Sequence, residues 1–105
     1  MVTKARILQK TSSWAILNHY LRHENPHGFP YAADLQKGKL VPNPFLPQKQ
    51  TTPSFNIHPA KNGEWQYHDF ATGEHGSCFD LVMRLFRVDF KAALDRINAD
   101  LHLGL

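Results

Sequence analysis

Cysteine is nearly absent from this chain of 105 residues: Cys78 is the only one. A single thiol excludes an intrachain disulfide and any C-x-x-C metal knuckle. It also fits a reducing compartment. Long apolar runs are missing, so no segment has the length of a membrane span. Residues 1–10 are basic but lack the apolar centre of a secretory signal. The expectation is a soluble, cytoplasmic protein with no membrane attachment. There is no G-x-x-x-x-G-K phosphate loop, and Ser, His and Asp occur in no order that suggests a nucleophilic triad. No repeat and no low-complexity tract is present. No catalytic residue is assigned. Asp69 and Glu74 admit an acid–base reading, but loop capping accounts for them more simply.

What is present suits one modest core. The chain has the length of a single domain, taken as 1–105, and its hydrophobic fraction is 42%, with two Trp, three Tyr and seven Phe. A core of this size is not generous, and small domains often add a metal or disulfides. Twelve Lys and Arg stand against nine Asp and Glu, for a formal charge of +3 and a pI near 9.2. This excess reads either as an ordinary basic surface or as a weak footprint for nucleic acid. Seven histidines add positive charge below about pH 6.5, where free imidazole titrates.

Thr11, Ser12 and Ser13 offer helix caps. Trp14, Leu17 and Leu21, with Tyr20, then recur at helical spacing, which predicts a leading helix over 12–23. Asn25, Pro26 and Gly28 end it. Lys37-Gly38 suggests a turn joining 31–35 to 39–41. Pro42, Pro44, Pro47 and Pro53 make 42–53 an irregular loop, because each proline removes a donor and fixes φ. Phe55 and Ile57 alternate with Asn56 and His58. Trp65 and Tyr67 alternate with Gln66 and His68. The Asn62-Gly63 pair between these runs predicts a hairpin. Residues 69–76 read as a glycine-containing loop. Cys78, Phe79, Leu81, Val82, Leu85 and Phe86 then give an apolar helical face. Asp89 caps a further helix whose stripe is Phe90, Ala93, Leu94, Ile97 and Leu101. The fold class is α+β: an N-terminal helix, a β-rich segment over 29–76 holding a small antiparallel sheet, and a helix pair over 77–101.

Several short motifs occur in order. They are Pro44-Phe45, Thr52-Pro53-Ser54-Phe55, the Asn-Gly hairpin, Phe70 with Gly73 and Gly76, Phe79-Asp80-Leu81-Val82-Met83, and Asp89-Phe90-Lys91-Ala92-Ala93. Together they resemble the N-terminal zinc-ribbon domain of bacterial and phage DNA primases, over about 42–98. Divergent members from phages and mobile elements, with S-P-F and D-F-x-T-G in place of the knuckles, are the more similar ones. The resemblance implies a zinc-ribbon-like sheet and a template-recognition module that holds single-stranded DNA. It also implies a replicative helicase or a primase polymerase domain as partner. Primer synthesis in the family belongs to that separate polymerase domain, so this chain alone is not expected to polymerise. It reads as part of a longer primase or as a free-standing relative from a phage or mobile element.

The family's four zinc ligands fall on Asn43, Leu46, Asp69 and Thr72. A structural zinc needs four thiolate or imidazole ligands in a tetrahedron, and this set cannot supply them. We therefore expect no zinc at that position. Since a structural zinc contributes about 10–16 kcal/mol to folding at neutral pH, something must replace it. The expected replacements are Phe45, Leu46 and Phe70 filling the volume and Asp69 accepting N–H groups from the turn ending at Gly73. A relocated metal site built from His58, His68, His75 and Cys78 stays open, although Cys78 reads more simply as a small core residue.

Single strands are held by basic grooves and aromatic platforms. The candidates are Lys39, Lys49, Lys61, Trp65, Tyr67 and His68 around the hairpin, with Arg84 and Arg87, beside Lys91, as a helical ridge. Against this, Trp65 and Tyr67 share a phase and at least one reads as core, while the lysines and arginines also read as solvated charges. The helix starting at Ser77 has an N-terminus able to hold a phosphate. The other class is a protein–protein adaptor docking to a helicase or polymerase subunit through a strip of Phe29, Tyr31 and Leu40.

Overall fold

The computed structural model of the protein describes residues 1–22, 38–46 and 52–105. Two helices open the chain. Helix α1 spans Lys4–Lys10 and begins where the Thr3 hydroxyl accepts the Arg6 N–H at 3.2 Å. Its periodicity was not visible in the sequence, because Ile7 is its only buried residue. Helix α2 spans Ser13–Arg22, close to the expected bounds. Ser12 Oγ caps it by accepting the Ala15 N–H at 3.1 Å. Its buried face is Ile16, Leu17, Tyr20 and Leu21, while Trp14 lies at the margin.

Three strands follow: β1, Phe55–Pro59; β2, Trp65–Asp69; and β3, His75–Ser77. They form an antiparallel sheet in the order β1-β2-β3. The predicted hairpin joins β1 to β2, with Asn56 opposite His68 and Ile57 opposite Tyr67. Its turn is closed by Ala60 N–H to Glu64 O at 2.8 Å, and Gly63 takes the left-handed φ of +85° that suits glycine. Strand β3 corrects the loop expected over 69–76. Its three residues pair with β2, His75 opposite His68 and Gly76 opposite Tyr67. So short a strand leaves no alternation to detect. Gly76 is needed for space: an added Cβ would sit 2.8 Å from Asp80 Cβ and 3.0 Å from the Tyr67 ring.

The turn expected to join 31–35 to 39–41 has its first arm outside the described residues. Val41 pairs with Phe55, with Val41 N–H to Phe55 O at 2.7 Å and the reverse bond at 3.0 Å. The free edge of β1 is thereby partly covered.

Helix α3, Cys78–Phe86, starts on a capping box: Ser77 Oγ accepts the Asp80 N–H, and Asp80 Oδ2 accepts the Ser77 N–H at 2.9 Å. Helix α4, Phe90–Asp100, starts where Asp89 accepts the Ala92 N–H at 2.8 Å. The expected helix pair is thus present. Tyr20 Oη donates to Asp100 at 2.8 Å and ties α2 to α4. The core runs without a break from Ile7 and the α2 face, through Phe55, Ile57 and Tyr67, to Leu81, Val82 and Ile97. Each fully buried side chain of this size contributes about 1.5–3 kcal/mol. The architecture is α+β, as expected, with one helix more at its start.

Candidate functional site

The sheet brings Asn43, Asp69 and Thr72 to one point. Asp69 ends β2 with its side chain on the inner face, fully buried. Its Oδ2 accepts the Thr72 N–H at 3.0 Å and the Thr72 hydroxyl at 2.8 Å. Ser54 Oγ donates to Oδ1, and the Asn43 side chain also hydrogen-bonds to the carboxylate. Burial on its own would raise the Asp69 pKa. The donors from Ser54, Thr72 and Asn43 outweigh it and hold the carboxyl below its ordinary value. The backbone reinforces this hub. Gly73 N–H donates to Asp69 O at 2.8 Å, with Gly73 at φ +79°. Asn43 turns the other segment by accepting the Phe45 N–H at 2.7 Å, and the Leu46 N–H reaches Asn43 O at 3.4 Å.

The hub does not suit a zinc ion. Leu46 carries no ligating atom, and the Asp69 carboxylate is already saturated with donors. Of the three side chains expected to fill the vacated volume, one does so. Phe45 is buried edge-on against Phe55 and Tyr67, with centroids 5.8 and 5.4 Å apart. Leu46 is 37% exposed and Phe70 61% exposed, so neither fills the vacated volume. The polar network takes that place because four donors converge on one carboxylate, which leaves no apolar cavity for those side chains to enter.

The residues expected to bind nucleic acid are scattered. Tyr67 is buried and stacked on Phe55 at 5.6 Å and 15°. This corrects its candidacy as a platform: its phase on β2 points inward, and burial, with Glu74 and Asp80 nearby, pushes its hydroxyl up to about 12. Trp65 is half-buried against Trp14 at 4.8 Å, and its backbone N–H donates to Ser13 Oγ at 2.8 Å, fastening α2 to the sheet. Arg84 pairs with Glu74 at 3.0 Å and covers the Phe45 ring at 4.9 Å, so it braces the β2–β3 turn. Arg87 ends α3 in the left-handed conformation, φ +54°. Lys61 is exposed in the β1–β2 turn and Lys39 is exposed beside β1. Lys49 lies outside the described residues.

His68 lies on the opposite, outer face of the sheet, together with His58 and His75, the other two histidines of the relocated metal site considered from the sequence. His75 is its cross-strand partner at 6.3 Å and His58 its diagonal neighbour at 6.5 Å. Phe70 covers the His68 ring at 4.2 Å. Cys78 is buried in the core on the other side, its thiol pushed up to about 12 by burial, so it cannot join the histidines in a relocated metal site. Among the described residues no group of three His, Cys, Asp or Glu is disposed to hold a metal. No described helix is long and apolar enough to cross a membrane. The alternation of His58 and His68 against apolar neighbours was the available signal for this face. The outward placement of His75 and Phe70 had no such signal, because β3 and the turn before it lack a strand pattern. No family model, no curated protein and no solved structure matches the chain.

Proposed function

We propose that this chain is a template-recognition module of the DNA-primase N-terminal type. It is a cytoplasmic domain that holds single-stranded DNA and keeps a ribbon frame without zinc. The observation that supports this most is the meeting of Asn43, Asp69 and Thr72 around one buried carboxylate. The first lies 26 residues before the second in the sequence, yet they converge as ligand positions of one metal site would. Asn43 with Leu46, and Asp69 with Thr72, keep the two-residue spacer of zinc knuckles. Polymerisation belongs to a partner domain, with a replicative helicase as the second partner.

Anisotropy of a rhodamine-labelled single strand tests the DNA-binding reading. We expect binding at low salt that weakens linearly in log–log form as salt rises. No binding at the lowest salt overturns it. The ribbon frame has its own test. A variant carrying Asn43→Cys, Leu46→Cys, Asp69→Cys and Thr72→Cys should take up one cobalt or zinc ion with a tetrahedral thiolate spectrum. Wild-type melting should be indifferent to a strong chelator. A variant that binds no metal removes the frame.

The adaptor reading retains one observation. Phe90 is 46% exposed beside an apolar groove lined by Met1, Val2 and Leu94. Of the strip first considered, Leu40 is exposed, while Phe29 and Tyr31 lie outside the described residues. Capture of a purified helicase that survives nuclease treatment would favour it over DNA binding.

A further inference from the structure

We propose that the outer face of the sheet is the surface that grips the single strand, and that its grip tightens as pH falls. His58, His68, Phe70 and His75 form this face. The inference rests on the DNA-binding reading above and names its site. It moves the aromatic platform from Trp65 and Tyr67, which the fold uses internally, to the opposite side of the same strands.

Three observations carry it. The first is placement. His68 and His75 face each other across β2 and β3, and His58 on β1 lies diagonal to His68. One imidazole from each strand therefore forms a row, with ring centroids 6.5 and 6.3 Å apart. A single strand laid across the three strands therefore meets one ring after another. The second is exposure. Phe70 leaves 61% of its surface open while resting on the His68 ring at 4.2 Å and 41°. An exposed phenyl supported from behind offers a face for a base, which stacks without regard to sequence. The third is charge. Glu74 in the β2–β3 turn is paired with Arg84 at 3.0 Å. Asp69 points to the inner side and is bound within its hub. Asp80 is bound in the α3 cap. The other charged neighbours at the sheet's rim are Lys61 and Glu64, both exposed in the β1–β2 turn, and Lys39, exposed beside β1. Any charge the three imidazoles gain on protonation adds to a rim of two lysines and one glutamate, and each imidazolium can meet a phosphate.

The test measures affinity of oligothymidylate carrying a rhodamine label, since neither thymine nor that dye titrates between about pH 5.5 and 7.5, the range that spans free imidazole. Wild type should tighten by at least about 10-fold on acidification. Its log–log salt slope should steepen by about 0.7 for each imidazolium that engages a phosphate. The triple substitution His58→Gln, His68→Gln and His75→Gln should abolish the gain. The control His102→Asn, at an exposed left-handed position near the C-terminus, should keep it. Phe70→Ala should weaken binding at both pH values by at least about 5-fold, the loss of one stacked base. Circular dichroism and thermal melting establish that each variant is folded. A gain that persists in the triple variant, or Phe70→Ala binding like wild type, overturns the proposal. A complete lack of binding by wild type at either pH overturns the DNA-binding reading itself, so the two failures are distinct.

Discussion

On the inner face of the sheet, Phe55, Ile57 and Tyr67 are sealed against α2, α3 and Phe45, and the carboxylate of Asp69 there is surrounded by donors. One residue along each strand, the outer face carries His58, His68 and His75, with Phe70 lying open beside them. The same β alternation produces both. Inward side chains are fixed by packing and by hydrogen bonds, so their chemistry serves stability. Outward, Asn56 is buried, but His58 and His68 are only half-buried and His75 is exposed, so these rings remain open to a ligand. A strand pattern that reads simply as core plus solvent therefore conceals a division of labour.

The comparison breaks most visibly on the inner side. Phe55→Ala removes a fully buried ring that touches both Phe45 and Tyr67. It should cost about 4 kcal/mol, as large-to-small changes of buried aromatics do, read as a lower urea midpoint at constant slope. Asp69→Asn should come next, at about 2–3 kcal/mol, because donors from Ser54, Thr72 and Asn43 lose an ionised acceptor. It also has a pH signature. The Asp69 pKa is lower when folded than when unfolded, so its contribution is complete above the unfolded value of about 3.9 and fades as pH falls through the folded value. Wild-type stability should therefore decline below about pH 4, and Asp69→Asn should show a shallower acid limb. Equal acid limbs would detach the hub from stability. The outer face should be nearly silent in the same assay: Phe70→Ala should shift stability by no more than about 0.5 kcal/mol. A larger loss would mean that Phe70 is structural after all, and the contrast between the faces would narrow.

Much of the fold was legible before the structure. Leu17, Tyr20 and Leu21 announced α2, and Ser77, Asp80 and Asp89 announced the caps of α3 and α4, because helix periodicity and capping depend on residues within a turn or two of each other. Asn62-Gly63 announced the β1–β2 turn for the same local reason. Helix α1 stayed hidden, since Ile7 alone faces the core. Strand β3 stayed hidden because three residues with a glycine at their centre carry no alternation. The candidate site was less legible. Tyr67 and His68 are adjacent and were candidates together, yet one is core and the other half-buried on the outer face. Phe70 was expected inside and lies outside, because the Asp69 turn carries the chain away from the core directly after β2.

Local chemistry, written in short stretches of sequence, thus determined the helices, their caps and the hairpin. It also determined that Asn43, Leu46, Asp69 and Thr72 do not offer the thiolate and imidazole donors of a structural zinc site, because ligation depends on the donor atoms a residue possesses. Only the tertiary structure decided that three of those four positions meet around one carboxylate, and that one histidine from each strand lines up on the far side of the sheet. Both are relations between segments remote in the chain. Their distances are set by strand register and by the packing of the sheet on its helices, which no local pattern encodes.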